Sequence, residues 1–211
     1  MALAWGKCGA VIRRIDIPDQ PFIELPTPAE NSTKLTPTQG TKKEAKIEGG
    51  ENEAVRYGKN TNKLDLSIRG DSKRRRPLRD SDGIVEGDYE VFIQPENKAA
   101  VGVYLPKTNI ATQASYDTED GLMWPYSADT VVPDDGGTQV REGNVEFLRD
   151  KDKKVVGVRF TEWGKGDEED KPPVVFGTDP GAVQAAPGNK DGFGAEIQAV
   201  ANNQEEPETQ A

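Results

Sequence analysis

Residues 83–132 read GIVEGDYEVFIQPENKAAVGVYLPKTNIATQASYDTEDGLMWPYSADTVV. Residues 89–93 (Tyr-Glu-Val-Phe-Ile) are a short aromatic and β-branched run of the kind that fits a pleated sheet, and residues 101–105 (Val-Gly-Val-Tyr-Leu) are another. Pro95 and Pro106 mark where each is expected to stop, because proline cannot donate to a strand ladder. Residues 108–116 put Ile110, Thr112 and Ala114 on one face. Residues 122–132 carry Trp124, Tyr126 and Val131, and Pro125 among them requires an edge position or a bulge. Asp134, Asp135, Gly136 and Gly137 signal a turn, and residues 139–148 supply the next strand. Short strands separated by polar turns, with almost no helical periodicity, predict an all-β sandwich or barrel.

Upstream, residues 26–69 read PTPAENSTKLTPTQGTKKEAKIEGGENEAVRYGKNTNKLDLSIR. Residues 26–41 hold three prolines and no apolar period, which predicts a loop. Residues 42–69 are expected to form two strands around a long turn at Gly49 and Gly50. In the second, Leu64, Leu66 and Ile68 face one way and Asp65, Ser67 and Arg69 the other. Residues 1–25 begin with the small apolar patch Ala2, Leu3, Ala4 and Trp5. They read as an extended N-terminal arm or as the first strand of the core, with Val11, Ile12, Ile15 and Ile17 able to pair as short strands and Pro18 and Pro21 barring a regular helix. The cluster from Lys73 to Arg76 precedes Pro77, and a short helix over residues 77–82 fits proline at a first helical turn. The cluster itself reads as a solvated loop or as a mark for an anionic partner.

Downstream, Asp150, Lys151, Asp152 and Lys153 form a turn, and residues 155–160 are its return strand. An acidic loop, Gly-Asp-Glu-Glu-Asp-Lys-Pro-Pro, closes the segment 149–176. Residues 177–211 are too poor in apolar side chains to fold alone and are expected to be an extended tail. The domain division is therefore an arm or first strand (1–25), a β core (26–148), an added hairpin and acidic loop (149–176) and the tail.

Composition narrows the function classes. The chain has 211 residues, 34% of them hydrophobic with glycine left out, which is on the lean side of ordinary domains, whose roughly 45–50% includes glycine. A core this small per residue often needs partners to bury more surface. The formal charge is −10, with residues 1–80 holding 16 basic against 11 acidic side chains, so the front is +5 and the remainder −15. A basic front and an acidic back favour head-to-tail contact between copies, or serve solubility alone. Net acidity argues against a dedicated nucleic-acid binder. No apolar run approaches the ~20 residues of a membrane-spanning helix. The N-terminus lacks the charged and apolar regions of a signal peptide, so synthesis in a reducing cytoplasm is expected.

Histidine is absent, which removes the commonest general base and metal ligand. The single cysteine, Cys8, has no histidine to activate it and is expected to be inert. No phosphate-binding, nucleophile-elbow or paired-cysteine motif occurs. Asp117, Glu119 and Asp120 are candidate ligands for a hard cation, but their spacing departs from the calcium-loop pattern and a plain turn is expected; Asp134 and Asp135 are read the same way. Scattered carboxylates without a pocket are no evidence for a glycosidase. Trp5, Trp124 and Trp163 could line a ligand groove or pack in a core or interface. The chain is thus expected to be no enzyme and to carry no cofactor.

Three segments carry a resemblance: residues 26–69, GIVEGDYEVFIQPE (83–96) and TEDGLMWPYSADTVVPDDGGTQV (118–140). Together they resemble the tail tube (major tail) proteins of long-tailed bacteriophages. The resemblance implies two packed antiparallel sheets with one short helix near residues 72–84, and terminal arms. It also implies a long inter-ring loop over residues 42–63. The contact residues in that loop would be Lys43, Lys46, Glu48, Glu51, Glu53, Arg56, Tyr57 and Lys59. The implied assembly is a homo-oligomeric ring of six, stacked into a hollow tube. Phage DNA passes through it without specific binding, and tape-measure, terminator and baseplate or tip proteins are its neighbours. The implied location is the virion. A heterologous ring interface, strands pairing across subunit boundaries and a negative lumen that repels phosphate are physically consistent with such a tube. A capsid decoration or head–tail connector protein, or a carbohydrate- or cell-surface-binding β-sandwich, are the alternatives.

Overall fold

The structure, a computed structural model, describes residues 6–48, 50, 52–70, 75–119 and 121–180. The apolar patch at residues 2–5, the Gly49 half of the turn, Glu51, half of the basic cluster (Lys73 and Arg74), Asp120 and residues 181–211 of the tail lie outside the described residues. Among the described residues the chain is all-β. The strands are β1 (Cys8–Arg14), β2 (Ile23–Leu25), β3 (Lys34–Thr38), β4 (Lys42–Lys46), β5 (Asn52–Tyr57), β6 (Thr61–Arg69) and β7 (Ile84–Pro95). They continue with β8 (Gly102–Thr112), β9 (Ser115–Asp117), β10 (Gly121–Thr130), β11 (Arg141–Arg149), β12 (Val155–Glu162) and β13 (Val174–Gly177). Eleven strands make one antiparallel sheet, and β4 and β5 make a second of their own.

The long strand β8 organises the sheet. Along one side it pairs with β7, which pairs with β1 and through it with β2. On its other side the partner changes: Gly102–Tyr104 meets β11, and Thr108–Thr112 meets β10. The sheet therefore divides into a β11–β12–β13 wing and a β10–β6–β3 wing. Alternate residues of the shared strands enter two different cores. Ala10, Ile12, Val91 and Leu105 pack with Leu64, Leu66, Ile68, Trp124 and Tyr126 of one wing. Val11, Phe92 and Tyr104 pack with Val145, Val155, Val158 and Phe160 of the other. Strands buried on both faces lose the apolar–polar alternation, which is why β1 reads Ala-Val-Ile and β7 Val-Phe-Ile without a break. The second core is aromatic: the Phe92 and Tyr104 rings stack at 4.5 Å and 5°, and Phe176 tilts against both at 5.1 Å.

Several expectations change. The N-terminal segment is the first strand of the core rather than an arm, since Ala10, Val11 and Ile12 are essentially inaccessible to solvent. Pro106 does not stop a strand. It falls where β8 changes partner and where its register with β7 shifts, between the Val91–Leu105 and Tyr89–Thr108 pairs, so its missing N–H breaks no regular ladder. The strand expected over residues 108–116 is consequently the end of β8, followed by the separate β9. Pro125 lies inside the sheet, in unbroken register with Ser67 of β6, so neither the edge position nor the bulge expected of it occurs; it is tolerated because it faces the gap between β8 and β9, where its carbonyl accepts from the Gln113 N–H and its missing N–H breaks no ladder. The loop expected over residues 26–41 contains β3, an edge strand. Asn62 directs its N–H and C=O to Thr130 Oγ1 on β10, so its partner Pro37 turns its nitrogen to the open edge. No helix forms over residues 77–82. Asp82 and Gly83 take φ of 50° and 85°, and Ser81 and Ile84 exchange both backbone hydrogen bonds across them. That is a two-residue hairpin turn of the mirror-image type that Asp-Gly favours. The 150–153 turn and its return strand form as expected, with Asp150 Oδ1 accepting from the Asp152 and Lys154 N–H groups at 2.9 Å. β13 follows the acidic loop and was not expected.

Candidate functional site

β3 and β6 pair from Lys34–Asp65 to Thr38–Thr61, and beyond them the two chain directions continue as β4 and β5. The result is one two-stranded ribbon whose base belongs to the sheet and whose outer half does not. At the junction the Gly58 N–H donates to Thr41 O (2.9 Å) and the Gly40 N–H to Asn60 Oδ1 (3.2 Å). A side chain at Gly40 would meet Gly58 O at 2.3 Å, so this close approach requires glycine. Where two strands around one long turn are expected over residues 42–69, three form: the segment up to Tyr57 is a hairpin, β4–β5, with its own register (Lys42–Tyr57, Lys43–Arg56, Glu44–Val55 and Ala45–Ala54), and β6 is a separate strand.

Strand alternation sorts the ribbon into two faces. One face carries the Lys42–Glu44 ion pair, Tyr57, Val55 and Lys46. The other carries Lys43 directly opposite Arg56 and, beside them, Ala45 opposite Ala54. Every residue of β4 is exposed, and so are Tyr57 (58%), Val55 (40%) and Ile47 (47%). Of the expected contact residues, Lys43, Lys46, Arg56 and Tyr57 therefore stand on the ribbon with exposed side chains, Glu48 and Lys59 flank it, Glu53 lies in β5, and Glu51 is outside the described residues. Val55 and Ile47 add apolar surface that the charged residues of the stretch obscured; their β-branched side chains were the available signal. A two-stranded ribbon is marginal by itself in water, so this one presents surface that its own subunit does not use.

The remaining candidates hold the fold together. Glu90 is 3% exposed, with its Oε1 2.5 Å from Arg13 Nε and its Oε2 accepting the Tyr104 hydroxyl at 3.2 Å. Burial raises the Glu90 carboxyl above its ordinary range, against the pull of Arg13, and burial with the Glu90 charge raises the Tyr104 phenol further still. Asp134 bonds Lys107 Nζ at 2.8 Å and Asp135 pairs with Arg141, whose guanidinium also lies 5.7 Å from the Tyr104 ring centre. Both carboxylates thus pin the 133–137 turn to the sheet, and Arg141 holds Asp135 below the usual carboxylate range. Glu119 belongs to the turn before β10, and no group of three acidic or cysteine side chains among the described residues is placed to hold a metal ion. Cys8 is half-buried, with Sγ 3.4 Å from Thr33 Oγ1. Trp124 is a core residue. Trp163 is half-buried and lines a cavity of about 510 Å³ with Leu35, Val140 and Arg141. Compared with known protein families and with curated sequences, the chain matches no family model and no individual relative.

Proposed function

We infer that the protein is a structural subunit that assembles with copies of itself into stacked rings, forming the tail tube of a long-tailed phage. DNA passes through such a tube without being bound. The observation that carries this reading is the β4–β5 ribbon, paired internally yet exposed along both faces. An element that buries little against its own subunit gains stability by ordering on another. The all-β core, the lean hydrophobic content and the −10 charge are compatible with a self-assembling conduit for a polyanion. In the virion its neighbours would be further copies and the proteins that cap and fill a tail.

Negative-stain electron microscopy of the purified chain tests this. Hollow stacked rings or filaments are expected. A variant lacking residues 42–57, with Thr41 joined to Gly58, is expected to stay folded and to lose stacking. A wild-type chain that remains monomeric at every concentration, and binds a glycan array through the Trp163 cavity, would overturn the reading in favour of a carbohydrate-binding β-sandwich.

A further inference from the structure

The Lys43–Arg56 face of the ribbon has a feature that its own subunit does not explain. Two cations stand directly opposite each other across the strands, an arrangement that destabilises a pair, and neither has an acidic partner among the described residues. Beside them Ala45 and Ala54 leave the surface low, so that another backbone can approach. The complementary surface lies elsewhere on the same chain. Between β12 and β13, residues 167–170 are Asp-Glu-Glu-Asp, four consecutive acidic residues. This loop is held in shape from within. The Lys171 N–H donates to Glu162 O (2.8 Å), Lys171 Nζ pairs with Glu162 Oε1 (2.8 Å), and the Gly164 N–H donates to Asp170 Oδ1 (3.0 Å). Those bonds use Glu162 and Asp170 and leave Asp167, Glu168 and Glu169 exposed, without a cationic side-chain partner among the described residues. A loop already ordered loses little entropy when a partner covers it.

We propose that the Lys43–Arg56 face of one copy docks on the 167–169 carboxylates of a second copy. This rests on the reading of the chain as a self-assembling subunit and names the partner surface of its ribbon. The contact is heterologous: each copy offers a cationic ribbon and an acidic loop, so the contact propagates from copy to copy without using itself up. It relieves the Lys43–Arg56 repulsion and the Asp167–Glu169 repulsion together, and it weakens as salt is raised because the charges sit at the surface.

The test uses the full chain, with assembly followed by sedimentation and electron microscopy over a range of protein and sodium chloride concentrations. Lys43→Glu with Arg56→Glu, and separately Asp167→Lys with Glu168→Lys and Glu169→Lys, are each expected to raise the concentration at which stacks appear by at least about tenfold. All five substitutions in one chain are expected to bring that concentration back to within about threefold of wild type. Lys98→Glu with Lys151→Glu, at exposed cations away from the ribbon, is the charge-matched control and should change nothing; circular dichroism checks that every variant is folded. Wild-type stacking in the ribbon variant overturns the docking and leaves the tube reading standing. A five-fold variant as impaired as either parent also overturns it, because the ribbon then meets a different surface. A wild-type chain that never self-associates overturns both readings.

Discussion

Glu90 is the residue at which charge and packing oppose each other most directly. It sits on β7 between β1 and β8, paired with Arg13 and Tyr104, and burial raises its folded-state pKa above the ordinary value of 4.5. Relative to the unfolded chain, folding therefore binds the Glu90 proton more tightly. The corresponding stabilisation is complete below the unfolded pKa and is lost as pH rises through the folded one. Glu90→Gln keeps a hydrogen-bonding group and cannot ionise. Its stability relative to wild type, from urea unfolding, is expected to improve as pH rises above the ordinary carboxyl value of 4.5. A difference that does not change with pH would show that Glu90 is unshifted. Phe92 is the opposite case, an inaccessible ring stacked on Tyr104 and touched by Phe22 and Phe176. Phe92→Ala is expected to cost about 3–5 kcal/mol, read from the same unfolding curves.

At the scale of elements, turns and strand ends decide where the chain goes. The Asp82–Gly83 turn delivers the chain into β7, and Gly83 holds φ of 85° with room for no side chain, since one would lie 2.8 Å from Thr112 O. Gly83→Ala is expected to destabilise by at least about 1–2 kcal/mol in thermal or chemical unfolding, while Gly136→Ala, in the open at a similar φ, loses only the backbone term. Proline 77 pointed to a helix and was outweighed by Asp82-Gly83, a stronger short-range hairpin signal five residues on. Pro106 and Pro37 pointed to breaks that do not occur, because the sheet leaves both nitrogens without a ladder partner to satisfy. Partner exchange along β8 depends on residues of two other strands, β10 and β11, further along the chain, and nothing in its own sequence shows it. The ribbon was legible as a long, charged and partly apolar element. Two strands around the Gly49–Gly50 turn were legible too; that the hairpin closes by Tyr57 and continues β3 and β6, with a cationic and a mixed face, follows only from the register.

For the molecule as a whole, stability is unevenly spread. β1, β7 and β8 are sandwiched between two cores, whereas β4 and β5 have no layer over them. Amide hydrogen exchange of the dispersed chain is expected to show the strongest protection in β1, β7 and the first half of β8 and the weakest in β4 and β5. On assembly, protection is expected to rise first in β4, β5 and residues 162–171. Protection of the ribbon in the dispersed chain equal to that of β7 would mean that it is covered within its own subunit.

The sequence by itself determined what its local chemistry controls. Period-two runs and Gly-, Asn- and Asp-rich turns made the chain all-β, and the absence of histidine and of catalytic motifs steered the functional reading towards assembly. The 150–153 turn and the Leu64–Leu66–Ile68 face formed as their patterns dictate. The tertiary structure decided which strands lie between two layers, where prolines are harmless and which element projects from the sheet. Those outcomes depend on pairings between residues far apart in the chain. A ladder hydrogen bond or a buried face exists only once its partner has arrived, so the ribbon on which the proposed assembly rests became visible as a surface only once the other described strands had paired without covering it.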